Sequence, residues 1–215
     1  LAVDVTEAQN AEKMRREFSA NVSHELKTPL QGIIGSAELL EHGLVKVEDG
    51  ARFAGMIRRE ASRLLRLVED IIRLSQLDEG APIPREDTDL LTITREAAVA
   101  LAPAAKEKGV SIAVTGDPCP MRGVPRLLGE IVFNLVDNGI KYNVPGGSVA
   151  VECRRHNGDI VLTVSDTGIG ISPIHQDRIF ERFYRVDKSH SRSSGGTGLG
   201  LSIVKHAAQL HGAVP

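Results

Sequence analysis

The chain has 215 residues, of which 41% are hydrophobic but only 3% aromatic, enough to fill the aliphatic cores of two small domains. Its formal charge of −2 at pH 7 provides no basic field, so we expect no nucleic-acid partner. No apolar run approaches the roughly 18 residues of a membrane-spanning helix, so this segment is predicted to be soluble.

The first part of the chain is predicted to form two helices. A heptad seam, with apolar residues at alternating steps of four and three, runs from Leu26 to Leu44, and a second runs from Ile57 to Ile71. The polar stretch 42–50 separates them. Because an antiparallel hairpin does not bury its single apolar stripe by itself, we predict a homodimer that forms a four-helix bundle.

The second part is predicted to be a mixed domain. The linker before it is DEGAPIPREDTD (78–89), which is rich in proline, glycine and acid. Asn157-Gly158 lies between two stretches of alternating hydrophobicity and indicates a β-hairpin. We expect helices layered on a largely antiparallel sheet. The other predicted elements are helices at 90–108 and 124–142, a strand at 110–114 and a last helix that begins near 198–201.

The stretch SHELKTPL places reactive side chains on the first helix. His24 occupies heptad position b, outside the core, and Thr28 shares its face one turn away. Neutral imidazole is a good nucleophile near pH 7, and the adjacent Glu25 could hold its tautomer and accept a proton. The structural alternative is an exposed histidine beside a turn that Pro29 bends.

Three further motifs follow in the second domain. In NLVDNGIKYN (134–143), two asparagines four residues apart suit Mg²⁺ and the lysine suits a phosphate. In DTGIGI (166–171), the aspartate can accept a hydrogen bond from an adenine amino group. GGTGLGL (195–201) opens the last helix and offers backbone N–H groups to phosphate oxygens. Each motif alone also fits a turn or a cap, but their order, with a lid between the last two, is far more specific.

In this order the motifs resemble those of the sensor histidine kinases with an HExxT phosphoacceptor motif, from about Glu17 to Gly212. FSANVSHELKTPLQGIIGSAELL is similar to the H-box, NLVDNGIKYN to the N-box, DTGIGI to the first glycine box, IFERFYRVD to the F-box and GGTGLGLSIVKH to the second glycine box. The resemblance implies a helical hairpin (17–79) that forms a dimeric four-helix bundle, a linker (80–89) and a Bergerat-type α/β sandwich that binds ATP (90–215).

The resemblance also implies a role for each matched position. His24 matches the phosphoacceptor, Glu25 its proton acceptor, and Thr28 the residue that positions water when the regulator is dephosphorylated. Asn138, with Asn134 beside it, matches the Mg²⁺ ligands. The positions that match contacts to ATP are Asn134, Asn138, Lys141, Tyr142, Asp166, Gly168, Gly170, Arg185, Gly196, Thr197, Gly198, Leu199 and Gly200, with Asp166 reading adenine and Arg185 reaching the γ-phosphate.

The implied activity is ATP- and Mg²⁺-dependent autophosphorylation of His24, transfer to an aspartate of a response regulator, and phosphatase activity towards it. Residues 1–16 resemble the end of a PAS-type sensor and a signalling helix, so we expect a sensor and a membrane anchor upstream of this cytoplasmic segment. The family continues with two strands after the position of HGAVP, so those strands are either truncated or omitted. A serine kinase or ATPase and a non-catalytic dimerisation scaffold are the alternatives.

Overall fold

The computed structural model describes residues 6–78, 83–186 and 196–215, which form two compact units that divide between Ile72 and Arg73. The domain limits expected from the sequence remain predictions. None of the helices in these ranges is long and apolar enough to cross a bilayer.

The first unit is a helical hairpin, and the last residues of its second helix, 73–78, belong to the second unit. Helix α1 (Thr6–Glu41) continues through Pro29, whose side chain is fully buried, and a 3₁₀ turn (Val47–Asp49) precedes helix α2 (Gly50–Asp78). Gly43 ends α1 in the left-handed conformation, with φ of 65°. The Gly43 and Leu44 amides donate to the carbonyls of Leu40 and Leu39, which is the hydrogen-bond pattern of a Schellman cap. The predicted break after residue 41 is therefore confirmed.

The second unit contains two small sheets. Strand β1 (Glu86–Asp89) leads into helix α3 (Leu90–Lys108) and pairs antiparallel with β3 (Pro120–Gly123). The larger sheet has the order β2-β4-β5, with β2 (Ser111–Gly116) parallel to β4 (Ser148–His156) and β4 antiparallel to β5 (Asp159–Asp166). The sheet is mixed, whereas a largely antiparallel one was expected, because the connection from β2 to β4, through β3 and a helix, brings β4 back in the same direction as β2. Strands β1 and β3 were not predicted.

The predicted hairpin between β4 and β5 is confirmed. Asn157 and Gly158 form its two-residue loop with φ of 52° and 92°. Positive φ at both central residues matches the twist of the flanking strands, which explains the preference for Asn-Gly here.

Helices α3 and α4 (Pro125–Lys141) cover one face of the larger sheet. The core between them contains the fully or almost fully buried side chains of Leu101, Val132, Val136, Val149 and Val151. Helix α6 (Gly200–Leu210) packs on α4, and a short helix α5 (Pro173–Gln176) follows the first glycine box. This packing brings the polar side of α4 next to the start of α6 and the end of β5.

Candidate functional site

His24 lies on the surface of α1, with its side chain 73% exposed. Its Nδ1 is 3.9 Å from Oε1 of Glu25, a separation that a small side-chain rotation would close to a hydrogen bond. An exposed imidazole with a neighbouring carboxylate is therefore present where the sequence predicted it.

Thr28 lies one turn after His24 on the same helix. Its hydroxyl donates a hydrogen bond to the His24 carbonyl oxygen at 3.2 Å. Such a bond back to the preceding turn is common for helical threonine and leaves the hydroxyl oxygen able to accept another hydrogen bond. This contact fits an alternative role in which Thr28 only stabilises the turn before Pro29, and it does not prevent the hydroxyl from also binding water.

On α4, Asn134 and Asn138 lie four residues apart on the polar side. The Asn134 amide nitrogen donates to the Glu130 carbonyl at 2.8 Å, and its Oδ1 lies against Gly200, where an added Cβ would be only 2.7 Å away. Asn138 is half-buried, and its side-chain amide makes no hydrogen bond to another residue within the described ranges. Both asparagines can therefore present a carboxamide oxygen, although no described group of three or more His, Cys, Asp or Glu residues could hold a metal.

Asp166 ends β5 beside the C-terminal end of α4. Its Oδ1 accepts a hydrogen bond from the Gly168 amide at 2.8 Å, which leaves Oδ2 free to accept from a ligand. A Cβ at Gly168 would lie 2.5 Å from the Tyr142 carbonyl oxygen, and Gly170 has φ of 69°. Glycine is therefore required at 168 by close packing and favoured at 170 by backbone conformation.

The second glycine box contacts the F-box. Gly198 has φ of 76°, its carbonyl accepts from the Phe183 amide at 2.8 Å, and an added Cβ would lie 3.0 Å from the Phe183 Cα. Thr197 Oγ1 accepts from the Leu199 amide at 3.3 Å. Leu199 is completely buried in this structure, and its predicted contact with a nucleotide remains a prediction. Residues 187–195, which include part of the predicted lid, lie outside the described residues.

Tyr142 and Arg185 approach the same glycine. An ideal Cβ at Gly196 would be 3.8 Å from both the Tyr142 hydroxyl and an Arg185 guanidinium nitrogen. Lys141 is held by an ion pair with Asp137, with 2.5 Å between Nζ and Oδ2. The N-box, the F-box and the second glycine box therefore converge, but a phosphate would have to compete with Asp137 for the lysine.

Sequence reasoning missed two residues that support these sites. Asn143 is buried and donates to the carbonyls of Gly139 and Ser148, while its Oδ1 accepts from the Thr167 hydroxyl at 3.1 Å. It thereby ties the end of α4 to the loop that carries the first glycine box. Arg63 pairs with Glu25 across the hairpin. Asn143 stood within the N-box motif and could have been identified there, whereas no sequence signal pointed to Arg63.

The polar surface fits a magnesium nucleotide. Two carboxamide oxygens are hard ligands, and Mg²⁺ in proteins commonly completes its octahedral shell with waters and substrate phosphates. The absence of a side chain at Gly168 and Gly200 lets their backbones lie directly against Tyr142, Asp166 and Asn134. The helix α6 start offers backbone N–H groups of the kind that bind phosphate.

Two known protein families match consecutive parts of the chain. Residues 14–80 match the family "His Kinase A (phospho-acceptor) domain", and residues 123–214 match "Histidine kinase-, DNA gyrase B-, and HSP90-like ATPase". The sensor-like histidine kinase SenX3 of Mycobacterium tuberculosis is 41% identical over 211 residues, which are 97% of this chain and 51% of SenX3. The chain thus spans about half the length of this curated relative.

Two solved structures are also similar. The mycobacterial sensor histidine kinase MprB is 31% identical with a TM-score of 0.50, over 60% of this chain and 80% of that one. Full-length ShkA in complex with AMPPNP is 31% identical with a TM-score of 0.65, over 91% of this chain and 41% of that one. The two family matches thus follow the order of a phosphoacceptor helical domain and then an ATPase domain. The chain belongs to the sensor histidine kinases and comprises their catalytic core.

Proposed function

We propose that this chain, within a longer sensor protein, uses ATP to phosphorylate His24 and then passes the phosphoryl group to an aspartate of a response regulator. The observation that carries the proposal is the exposed imidazole of His24 beside the Glu25 carboxylate, 3.9 Å away, on a helical unit separate from the glycine-rich ATPase unit. The nucleophile and the nucleotide site lie on separate units. This arrangement fits an enzyme that transfers phosphate to a protein side chain better than one that only hydrolyses ATP.

The histidine acts as the nucleophile in this account. With the Nδ1 proton directed at Glu25, the Nε2 lone pair attacks the γ-phosphorus and the bond to the β,γ-bridging oxygen breaks, releasing ADP. The Nδ1 proton is shared with or transferred to the carboxylate, which offsets the positive charge that develops on the ring. His24 and Glu25 are the residues that touch the reacting atoms.

The ATPase unit supplies position and charge. Asp166 Oδ2 would accept a hydrogen bond from the adenine amino group, while Oδ1 keeps its hydrogen bond from the Gly168 amide. The carboxylate that recognises the purine is therefore oriented by the loop that follows it. Gly196, Gly198 and Gly200 would let the backbone approach the phosphates. Arg185 and Lys141 are the cations proposed to meet them, the lysine after release from Asp137.

Magnesium is the proposed metal, with Asn138 as its principal protein ligand and Asn134 beside it. When bound with ATP, it neutralises the charge of the phosphates in the transition state. The Asn134 side chain is oriented by its bond to the Glu130 carbonyl, so its oxygen is already turned towards the start of α6. Binding of the metal would therefore cost little conformational entropy at the Asn134 side chain.

A homodimer is proposed because the hairpin leaves large apolar side chains in water. Leu30, Ile34, Leu65 and Val68 are between 39% and 61% exposed in the single chain. Leu30 was predicted as a seam position, and a second hairpin packed there would bury it. An unpartnered apolar stripe on two helices is the surface that four-helix bundles close.

The proposed partner of phosphorylated His24 is the receiver domain of a response regulator, which would dock on the exposed face of α1. Thr28 lies on that face and is proposed to orient water when the regulator is dephosphorylated. The full-length protein is proposed to carry a PAS-type sensor and a membrane anchor before residues 1–16.

Labelling with ATP that carries a labelled γ-phosphate tests the proposal. The wild-type chain should acquire acid-labile, base-stable label, and His24→Gln should acquire none while binding nucleotide with nearly unchanged affinity. His42→Gln, at the end of the same helix, is the matched control and should label normally. Acid-labile label on His24→Gln would contradict the assignment of His24 as the phosphoacceptor. Nucleotide binding without any label on the wild type would favour the alternative of a non-catalytic scaffold.

A further inference from the structure

Arg63 of α2 contacts the proposed proton acceptor across the hairpin. Its guanidinium Nη2 donates to Glu25 Oε2 at 3.3 Å, and its side chain is only 11% exposed. The two residues are 38 positions apart in the chain, so the pair depends on the way the helices align. A cation with so little access to solvent needs a partner, and Glu25 is the nearer of its two carboxylates, with Glu60 at 3.9 Å.

The two oxygens of Glu25 therefore have different neighbours. Oε2 faces Arg63 on the other helix, whereas Oε1 lies 3.9 Å from the Nδ1 of His24. Glu25 is 27% exposed and, like any glutamate, has several accessible rotamers. A cation that holds one oxygen restricts these rotamers and keeps the other oxygen beside the imidazole.

We propose that Arg63 is a positioning residue for the phosphoacceptor, because it fixes the Glu25 carboxylate so that Oε1 accepts the Nδ1 proton of His24. This inference rests on the proposed function, in which Nε2 attacks the γ-phosphate. Attack needs the tautomer with the proton on Nδ1, whereas free imidazole side chains more often carry it on Nε2. Arg63 touches neither substrate nor His24 and acts only through Glu25.

A purely structural role for Arg63 would give a different pattern of effects. If Arg63 only supports helix packing through contacts other than Glu25, its removal slows the reaction by the same factor whether or not Glu25 is present. If it acts through Glu25, its removal matters only while the carboxylate is there. A double-mutant cycle separates these cases, because residues that act as a unit have non-additive effects.

The experiment compares wild type, Arg63→Gln, Glu25→Gln and the double variant at saturating Mg²⁺-ATP. We expect Arg63→Gln to slow autophosphorylation by about 10- to 100-fold, with KM for ATP within about twofold of wild type. In the Glu25→Gln background, the same change should slow the reaction by less than about twofold. Arg66→Gln, an exposed position on the same helix, is the matched control and should stay near the wild-type rate.

A second measurement does not require kinase activity. The ¹⁵N chemical shifts of the His24 ring, recorded without nucleotide, report which nitrogen carries the proton. Arg63→Gln should move the population towards the Nε2–H tautomer, and Arg63→Lys should give an intermediate value because lysine keeps the charge but not the planar fork. If Arg63→Gln does not fold, the same comparison is made with Arg63→Lys.

Two results would overturn the inference: an equal loss of rate in both backgrounds, or an unchanged His24 tautomer in a folded Arg63 variant. Failure of the proposed function looks different, since the wild-type chain would then not label at all. The tautomer measurement would still decide the role of Arg63 in that case.

Discussion

Gly200 lies directly against Asn134, so closely that a Cβ on the glycine would be 2.7 Å from the asparagine Oδ1. The first residue of α6 and a proposed Mg²⁺ ligand of α4 therefore share one small space, and a methyl group there must displace the carboxamide. This contact joins the second glycine box to the N-box.

We expect Gly200→Ala to lower the affinity for Mg²⁺-ATP by at least about tenfold, which is roughly 1.4 kcal/mol. Titration with a fluorescent ATP analogue measures it. Gly129→Ala is the control on α4, because its Cβ would meet Ile93 at an ordinary 3.7 Å, and it should leave affinity unchanged while raising stability by about 0.5–1 kcal/mol. Wild-type affinity in Gly200→Ala would contradict the proposed placement of the phosphates.

Asn138→Ala should remove the principal Mg²⁺ ligand and slow autophosphorylation by roughly 100-fold or more, because charge neutralisation is the main catalytic device of phosphoryl transfer. Nucleotide binding measured with and without EDTA checks the cause. The variant and the wild type should bind equally when the metal is chelated and differ when it is present. If they differ equally in both conditions, Asn138 contacts the nucleotide and not the metal.

Thr28→Ala separates the two roles considered for this residue. We expect autophosphorylation to stay within about tenfold of wild type, a change of at most about 1.4 kcal/mol in the barrier. Dephosphorylation of the phosphorylated regulator should be mostly lost, because the hydroxyl that would orient the water is absent. If Thr28 only stabilises the turn before Pro29 through its bond to the His24 carbonyl, both activities and the melting temperature should fall together.

Asp89 caps the N-terminus of α3 and should contribute stability that depends on pH. Burial raises the pKa of this carboxyl, but hydrogen bonds from the Thr92 hydroxyl and amide and from the Cys119 amide outweigh it, so the pKa lies below its ordinary value of 3.8. A lowered pKa in the folded state stabilises the fold above the unfolded pKa, and this contribution disappears as pH falls through the folded pKa.

Asp89→Ala should therefore cost about 0.5–2 kcal/mol at pH 7, as loss of an N-cap does, and the difference from wild type should shrink below about pH 4. Denaturant unfolding at several pH values measures it. Asp87→Ala is the control two residues earlier on β1, where the side chain is 93% exposed, and it should change stability little. A difference that stays constant down to pH 2 would contradict the role of the carboxylate.

Periodicity predicted the long elements well but not the sheet. The helix expected at 90–108 is observed as Leu90–Lys108, because its apolar positions face one continuous core. Strands β1 and β3 have only four residues each, too few for a pattern of hydrophobicity to distinguish a strand from a loop. In the parallel pairing of β2 with β4, Ser111 lies opposite Ser148. Because these partners are far apart in the chain, no local sequence pattern indicates that they pair.

The site residues were predicted from motifs, whereas their partners depend on three-dimensional alignment. The Lys141–Asp137 pair has i,i+4 spacing and could have been anticipated from the sequence. The Arg63–Glu25 pair could not, since it requires the register of two helices that a turn and a 3₁₀ segment connect. Residue type and spacing thus predict the chemistry of single elements, but not contacts between elements.

The most direct test of the central claim identifies the atom that receives the phosphoryl group. The protein is incubated with Mg²⁺-ATP and the reaction is then quenched with alkali. Phosphopeptide mapping by electron-transfer fragmentation should find phosphate on His24, and ³¹P NMR should assign it to Nε2. Phosphate on a serine or threonine, or none on a protein that binds ATP, would contradict the account.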